Sequence, residues 1–132
     1  MDAAIGKDDC STTREISRAN EEIQMSFAKT EMLTLQWGEA RGIVQNSTPF
    51  AQALKTKEEL EELFDAISKG DREAMADAYG DILVTLVIGC ACADLDLLTC
   101  FQGAYNEIKD RSGFLNKEGI FVKTQPANTA NA

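Results

Sequence analysis

Glu58-Glu59-Leu60-Glu61-Glu62 with Asp65, and then Asp77 with Asp81 beyond a break at Gly70-Asp71, set carboxylates on two successive segments of the chain. The sequence contains no histidine, so no imidazole ligand and no Ser-His or Cys-His nucleophile pair is available. Carboxylate oxygens alone suit hard divalent cations. Mg²⁺ is the leading choice because it retains waters and accepts phosphate oxygens beside one or two protein acids. No Gly-x-x-x-x-Gly-Lys loop is present to cradle phosphates. A cation-activated water is the nucleophile left, and phosphate chemistry is the leading reading.

The acids need helices to bring them together. On a wheel of about 100° per residue, Glu58, Glu62 and Asp65 fall within roughly 60° of one another, with Glu59 at the edge. They lie opposite Leu60, Leu63, Phe64 and Ile67, whose i, i+3, i+4, i+7 spacing predicts a core-facing stripe. Taken alone, this is equally the pattern of a solvated face. The next segment carries Asp77 and Asp81 into Val84 and Ile88, and beyond Asp81 it is apolar on every side. That predicts a buried helix with Asp81 at the edge of the interior. A carboxylate there needs a basic side chain, a raised pKa or a shared cation.

Four helical segments are legible, and the fold class they predict is all-α. The expected architecture is an antiparallel helix bundle of four to five helices with a short C-terminal β-hairpin or extended arm. The first segment begins near Ser11-Thr12-Thr13 and runs to about Arg41 before Gly42, as one long helix or two. Asn46-Ser47-Thr48-Pro49 supplies a capping signal for the second, with proline in its first turn, and that helix ends at about Lys69 before Gly70; Asp71 caps the third, which reaches about Ala93. The fourth begins near Asp94-Leu95-Asp96 and stops at Gly113. Two β-prone pieces then flank a turn at Asn116 to Gly119. The expected organisation is a flexible tail at 1–12, one helical domain at 13–123 and a second flexible tail at 124–132.

Composition narrows the partners. A net charge of −9, from 22 acidic and 13 basic residues, opposes binding to a nucleic-acid backbone, which needs basic surface. A nucleotide bound with its cation escapes that repulsion. The N-terminus lacks a basic region followed by an apolar run, and the apolar stretch Ile82–Ala93 is well short of the roughly 20 residues that cross a bilayer. No membrane partner and a cytoplasmic location are the expectation. The four cysteines, Cys10, Cys90, Cys92 and Cys100, read as reduced, small apolar residues.

At its acids the chain resembles the MazG-like family of all-α nucleoside triphosphate pyrophosphohydrolases, whose hallmark is Glu-Glu-x-x-Glu followed on the next helix by Glu-x-x-Asp. The first part stands here as Glu58-Glu59-Leu60-Glu61-Glu62, and the second as Ala78-Tyr79-Gly80-Asp81. Trp37-Gly-Glu-Ala-Arg-Gly-Ile43, Gln52-Ala-Leu-Lys55, Asp77-Ala-Tyr-Gly-Asp-Ile-Leu-Val84 and Tyr105-Asn-Glu-Ile-Lys-Asp-Arg-Ser-Gly113 extend the likeness to compact single-domain members from bacteria and their phages. One departure is plain: Ala78 replaces the first acid of Glu-x-x-Asp, and Asp77, one residue earlier, is its candidate substitute.

The resemblance implies Mg²⁺, with Mn²⁺ as a substitute, held by Glu59, Glu62, Asp77 and Asp81. The implied reaction is attack of water on the α-phosphorus of a nucleoside triphosphate, giving the monophosphate and pyrophosphate, with Glu58 or Asp65 accepting the proton. Asn106, Lys109 and Arg111 correspond to residues that reach the phosphates, although Lys109 and Arg111 also read as solvated helix-end cations. Gln52 and Lys55 are substrate-facing candidates, and for Lys55 an ion pair with Glu58 or Glu59 is an equal alternative. Trp37 stacks on a base or anchors a core or interface.

Two rival readings keep the helices and change the function. One is a phosphoribosyl-ATP pyrophosphohydrolase-like enzyme, which splits the same type of bond. The other is a non-catalytic helical module that binds a nucleotide or a protein, motivated by Ala78. An all-apolar third helix is hard for so small a chain to cover, which predicts a homodimer or a dimer of dimers.

Overall fold

The computed structural model describes residues 3–124, and describes side chains outside 3–11 and 20–25. Its described elements are α1 (Ala3–Ala40), α2 (Ile43–Asn46), α3 (Pro49–Lys69), α4 (Arg72–Cys92), α5 (Leu97–Ile108), β1 (Gly113–Leu115) and β2 (Phe121–Lys123). The all-α class with a short C-terminal hairpin is what the sequence predicts. The chain divides into two compact units, Met1–Leu98 and Thr99–Ala132. Residues 1–2 and 125–132 of the expected tails lie outside the described residues.

α1 is one uninterrupted helix that begins at Ala3, ahead of the hydroxyl residues at 11–13. It ends where Gly42 adopts a left-handed backbone (φ 71°), and the single turn α2 follows. At the other end of the first unit's core, α3 and α4 are bounded by local chemistry. Thr48 accepts a hydrogen bond from Ala51 N–H, and Pro49 occupies the first turn, where its missing N–H costs nothing. Gly70 closes α3 in the left-handed conformation (φ 66°), and Asp71 Oδ1 caps α4 by accepting from Ala74 N–H at 3.1 Å.

The two residues between α3 and α4 fold them into an antiparallel hairpin. Thr56 and Thr85 hydrogen-bond across it at 2.8 Å. A Cβ placed on Gly89 would stand 3.3 Å from Gln52 Cβ, so the helices run close together there. Leu63, Ala66, Ala78, Val87 and Ile88 form the buried apolar core. α1 crosses α4 at Gly38, where a Cβ would collide with Ile88 Cδ1. The Cys92 thiol reaches the Val44 carbonyl at 3.7 Å, tying α2 to the same helix.

Two expectations about packing are corrected. The α3 face that meets α4 carries Thr56, Glu59, Leu63 and Ala66; Leu60, Phe64 and Ile67 are exposed, Phe64 to 64%. Small and medium side chains at the contact let the helices approach, whereas the larger ones turn outward. α4 is likewise covered on one side only: Ala78, Thr85, Val87 and Ile88 are buried, while Leu83, Val84 and Leu86 are exposed. By length and composition alone α4 is apolar enough to cross a membrane, in contrast to the shorter run read from the sequence.

In the second unit, β1 pairs antiparallel with β2 in the register Gly113–Lys123, Phe114–Val122 and Leu115–Phe121. Asn116 Oδ1 organises the turn by accepting from the N–H groups of Glu118 and Ile120. Gly119 takes the positive φ (80°) that a side chain would resist. α5 stops at Ile108, earlier than the expected Gly113, because Lys109-Asp110 turn the chain and Gly113 is drawn into the hairpin.

Candidate metal centre

Glu59 and Glu62 share one edge of α3, a single turn apart, and Asp81 on α4 comes up beside them. One carboxylate oxygen from each lies within 4.8 Å of the other two. The environments differ. Glu62 and Asp81 are exposed, whereas Glu59 is only 7% exposed and its Oε2 is buried without a hydrogen-bond partner. Asp81 therefore sits outside the interior edge to which the apolar pattern assigned it, and Glu59 is the buried acid. The signal that would have found Glu59 is its place in the row Thr56, Glu59, Leu63, Ala66, which shares a face at helical spacing.

A cavity of about 300 Å³ opens beside the triad, lined by Glu62, Asp65, Asp77 and Asp81 over a floor that includes Ala66 and Ala78. Asp77 is exposed and enters this lining, while Ala78 is 3% exposed. A second cavity of about 680 Å³ between α1 and α4 is mostly apolar, with Phe27, Leu83 and Val84 in its wall. Asp77 and Asp81 border both.

Charges around the triad are arranged in pairs. Lys55 Nζ lies 3.3 Å from Glu58 Oε2 and 3.5 Å from Glu59 Oε1, and both acids hold its pKa above the usual lysine value, Glu58 most. Lys69 Nζ is 2.9 Å from Asp65 Oδ2 and is raised in the same way. Glu62 is pushed above the ordinary carboxylate value, first by a hydrogen bond that its protonated form makes with Glu59 and then by the Glu59 charge.

Gln52 Nε2 donates to Ser47 Oγ at 3.0 Å. Asn106 is exposed on α5, and Lys109 and Arg111 are exposed just after it, all three in the second unit. Trp37 is partly exposed, with the Arg41 guanidinium 4.7 Å from its ring centroid, a cation–π contact.

The fold and site together define a helical hairpin that gathers carboxylates from both of its arms. Comparison with known proteins assigns the family: residues 48–113 match the MazG nucleotide pyrophosphohydrolase domain, and the chain belongs to that family. It is also 40% identical over 53 residues to a Haemophilus phage HP1 protein described as an "Uncharacterized 18.2 kDa protein in rep-hol intergenic region". That match covers 40% of this chain and 32% of the relative, so the chain spans about a third of that protein's length. No solved structure matches.

The donor set fits a hard divalent cation on structural grounds of its own. All its members are oxygens, they converge, and a buried one has no partner. An ion would supply the partner that Glu59 Oε2 lacks.

Proposed function

We propose that this protein is a Mg²⁺-dependent nucleoside triphosphate pyrophosphohydrolase that releases pyrophosphate and a nucleoside monophosphate, acting in nucleotide-pool cleansing with deoxynucleotides among its substrates. The observation that carries this reading is the convergence of Glu59, Glu62 and Asp81, with one Glu59 oxygen buried and unpartnered, within the stretch that matches the family. Glu59, Glu62 and Asp81 hold the cation, with Asp77 beside them in the cavity wall. Bound magnesium, or manganese in its place, neutralises phosphate charge and makes water more acidic.

The chain's own groups do the rest. Water oxygen bonds to the α-phosphorus as the bond to the bridging oxygen breaks, and pyrophosphate leaves. The water proton passes to Glu58 or Asp65, exposed carboxylates that each already carry a lysine partner. Gln52 on α3 contributes to substrate placement, and Asn106, Lys109 and Arg111 serve the phosphates, where arginine's fork matches phosphate oxygens. The exposed apolar residues of α3 and α4 support a homodimer or dimer of dimers, which sedimentation at micromolar concentration tests.

Pyrophosphate release with Mg²⁺ across ribo- and deoxynucleoside triphosphates, with phosphoribosyl-ATP included, tests the reaction. Turnover that vanishes in Asp81→Ala and Glu62→Ala while helicity persists supports it. A second reading, a nucleotide- or protein-binding module without catalysis, is favoured by buried Ala78 at the motif's acidic position. No release from any nucleotide at ample enzyme selects that reading.

A further inference from the structure

Lys55 stands one helical turn before Glu59, half-exposed, with its ammonium between two acids. Its contacts are unequal in consequence. Glu58 is an exposed partner whose carboxylate water can solvate, whereas Glu59 is the acid that the α3–α4 contact buries. Lys55 reaches Glu59 through Oε1 at 3.5 Å, and Oε2 is left buried with nothing bonded to it. A carboxylate is planar and its two oxygens move as one body. Whatever fixes Oε1 therefore also fixes the direction in which Oε2 is offered.

We propose that Lys55 is a positioning residue for the metal centre: its ammonium tethers Glu59 Oε1 so that the other oxygen is presented to a divalent cation shared with Glu62 and Asp81. This rests on the metal reading given above. Outer partners that orient a metal-binding carboxylate are common, and losing one weakens affinity for the ion. Charge alone makes the opposite forecast here. A lysine near a divalent cation repels it, so a lysine that merely neutralised the acids would hold the ion off. A lysine that served only the substrate phosphates would leave cation affinity unmoved.

Mn²⁺ is the probe, titrated into the full chain without nucleotide and followed by electron paramagnetic resonance, with far-UV circular dichroism as a check on folding. Under the tether, Lys55→Met weakens Mn²⁺ binding by about tenfold or more, and Lys55→Arg, which keeps charge and reach, restores most of the loss. Mn²⁺ affinity that is unchanged or tighter in Lys55→Met overturns the assignment to Lys55 and leaves the metal reading standing. A wild-type chain that binds no Mn²⁺ overturns both.

Discussion

Thr56 Oγ1 and Thr85 Oγ1 meet at 2.8 Å across the α3–α4 hairpin, one turn before Glu59 on one helix and one turn after Asp81 on the other. Two hydroxyl protons serve three acceptors here: while one threonine donates across the hairpin, the other donates to a backbone carbonyl of its own helix, that of Gln52 or Ile82. The pair therefore sets the register in which the acids face each other. Thr85→Val or Thr56→Val leaves one hydroxyl without its cross-helix partner, and each is expected to cost about 1–2 kcal/mol in urea unfolding. The double valine variant should lose less than the two singles added together, because it removes both polar groups at once.

Glu59→Gln should separate stability from function. The amide replaces a buried charge and adds a donor toward Glu62, so the chain in EDTA is expected to gain about 1 kcal/mol. Wild type should in turn gain about 2.7 kcal/mol when Mg²⁺ is present at a hundred times its dissociation constant. The variant should lose that gain together with pyrophosphate release. Calorimetry with and without Mg²⁺ checks both halves.

The raised pKa of Glu62 gives a signed pH dependence. Below the ordinary carboxylate value of 4.5 the folded and unfolded chains both hold the proton, and the stabilising contribution of Glu62 is complete. As pH rises through its higher folded value the contribution is lost, because the folded chain then carries the unfavourable Glu59–Glu62 pair of charges. Wild type minus Glu62→Gln, compared in EDTA, should thus become progressively less favourable to wild type from about pH 4.5 toward neutrality. A difference that stays flat over that range contradicts the coupling.

Gly38→Ala should be among the most costly single-methyl additions in the first unit. Its Cβ would enter the space of Ile88 Cδ1, and Ile88 is 2% exposed with little room to yield. Overpacking of this kind costs about 1–3 kcal/mol. Ile88→Val removes the colliding carbon, so the double variant should melt above Gly38→Ala alone.

Local signals made the element boundaries legible. Thr48-Pro49, Gly70, Asp71 and Asn116–Gly119 each act through a bond or a backbone angle within a few residues, and the structure puts a cap or turn at each. The orientation of α3 was not legible in the same way. Leu60, Phe64 and Ile67 make a better apolar stripe than Thr56, Glu59 and Ala66, yet the latter face α4, because fit to the partner helix outweighs hydrophobicity at that contact. The same substitution of fit for pattern hid Glu59 as the buried acid. Glu59, Glu62 and Asp81 are brought together, and those three were readable by residue type and by resemblance. Ala78 shows where the pattern stops: a methyl group fills the position and Asp77 stands beside it in the cavity wall.

The two-residue link at Gly70-Asp71 has a kinetic consequence. The three acids lie within the stretch closed by the Thr56–Thr85 hydrogen bond, whose ends are 29 positions apart. Closing so short a loop forfeits little chain entropy, and nearby contacts of this kind form quickly. The acids should consequently find one another among the earliest events of folding, before the remoter crossing of α1 over α4 is made.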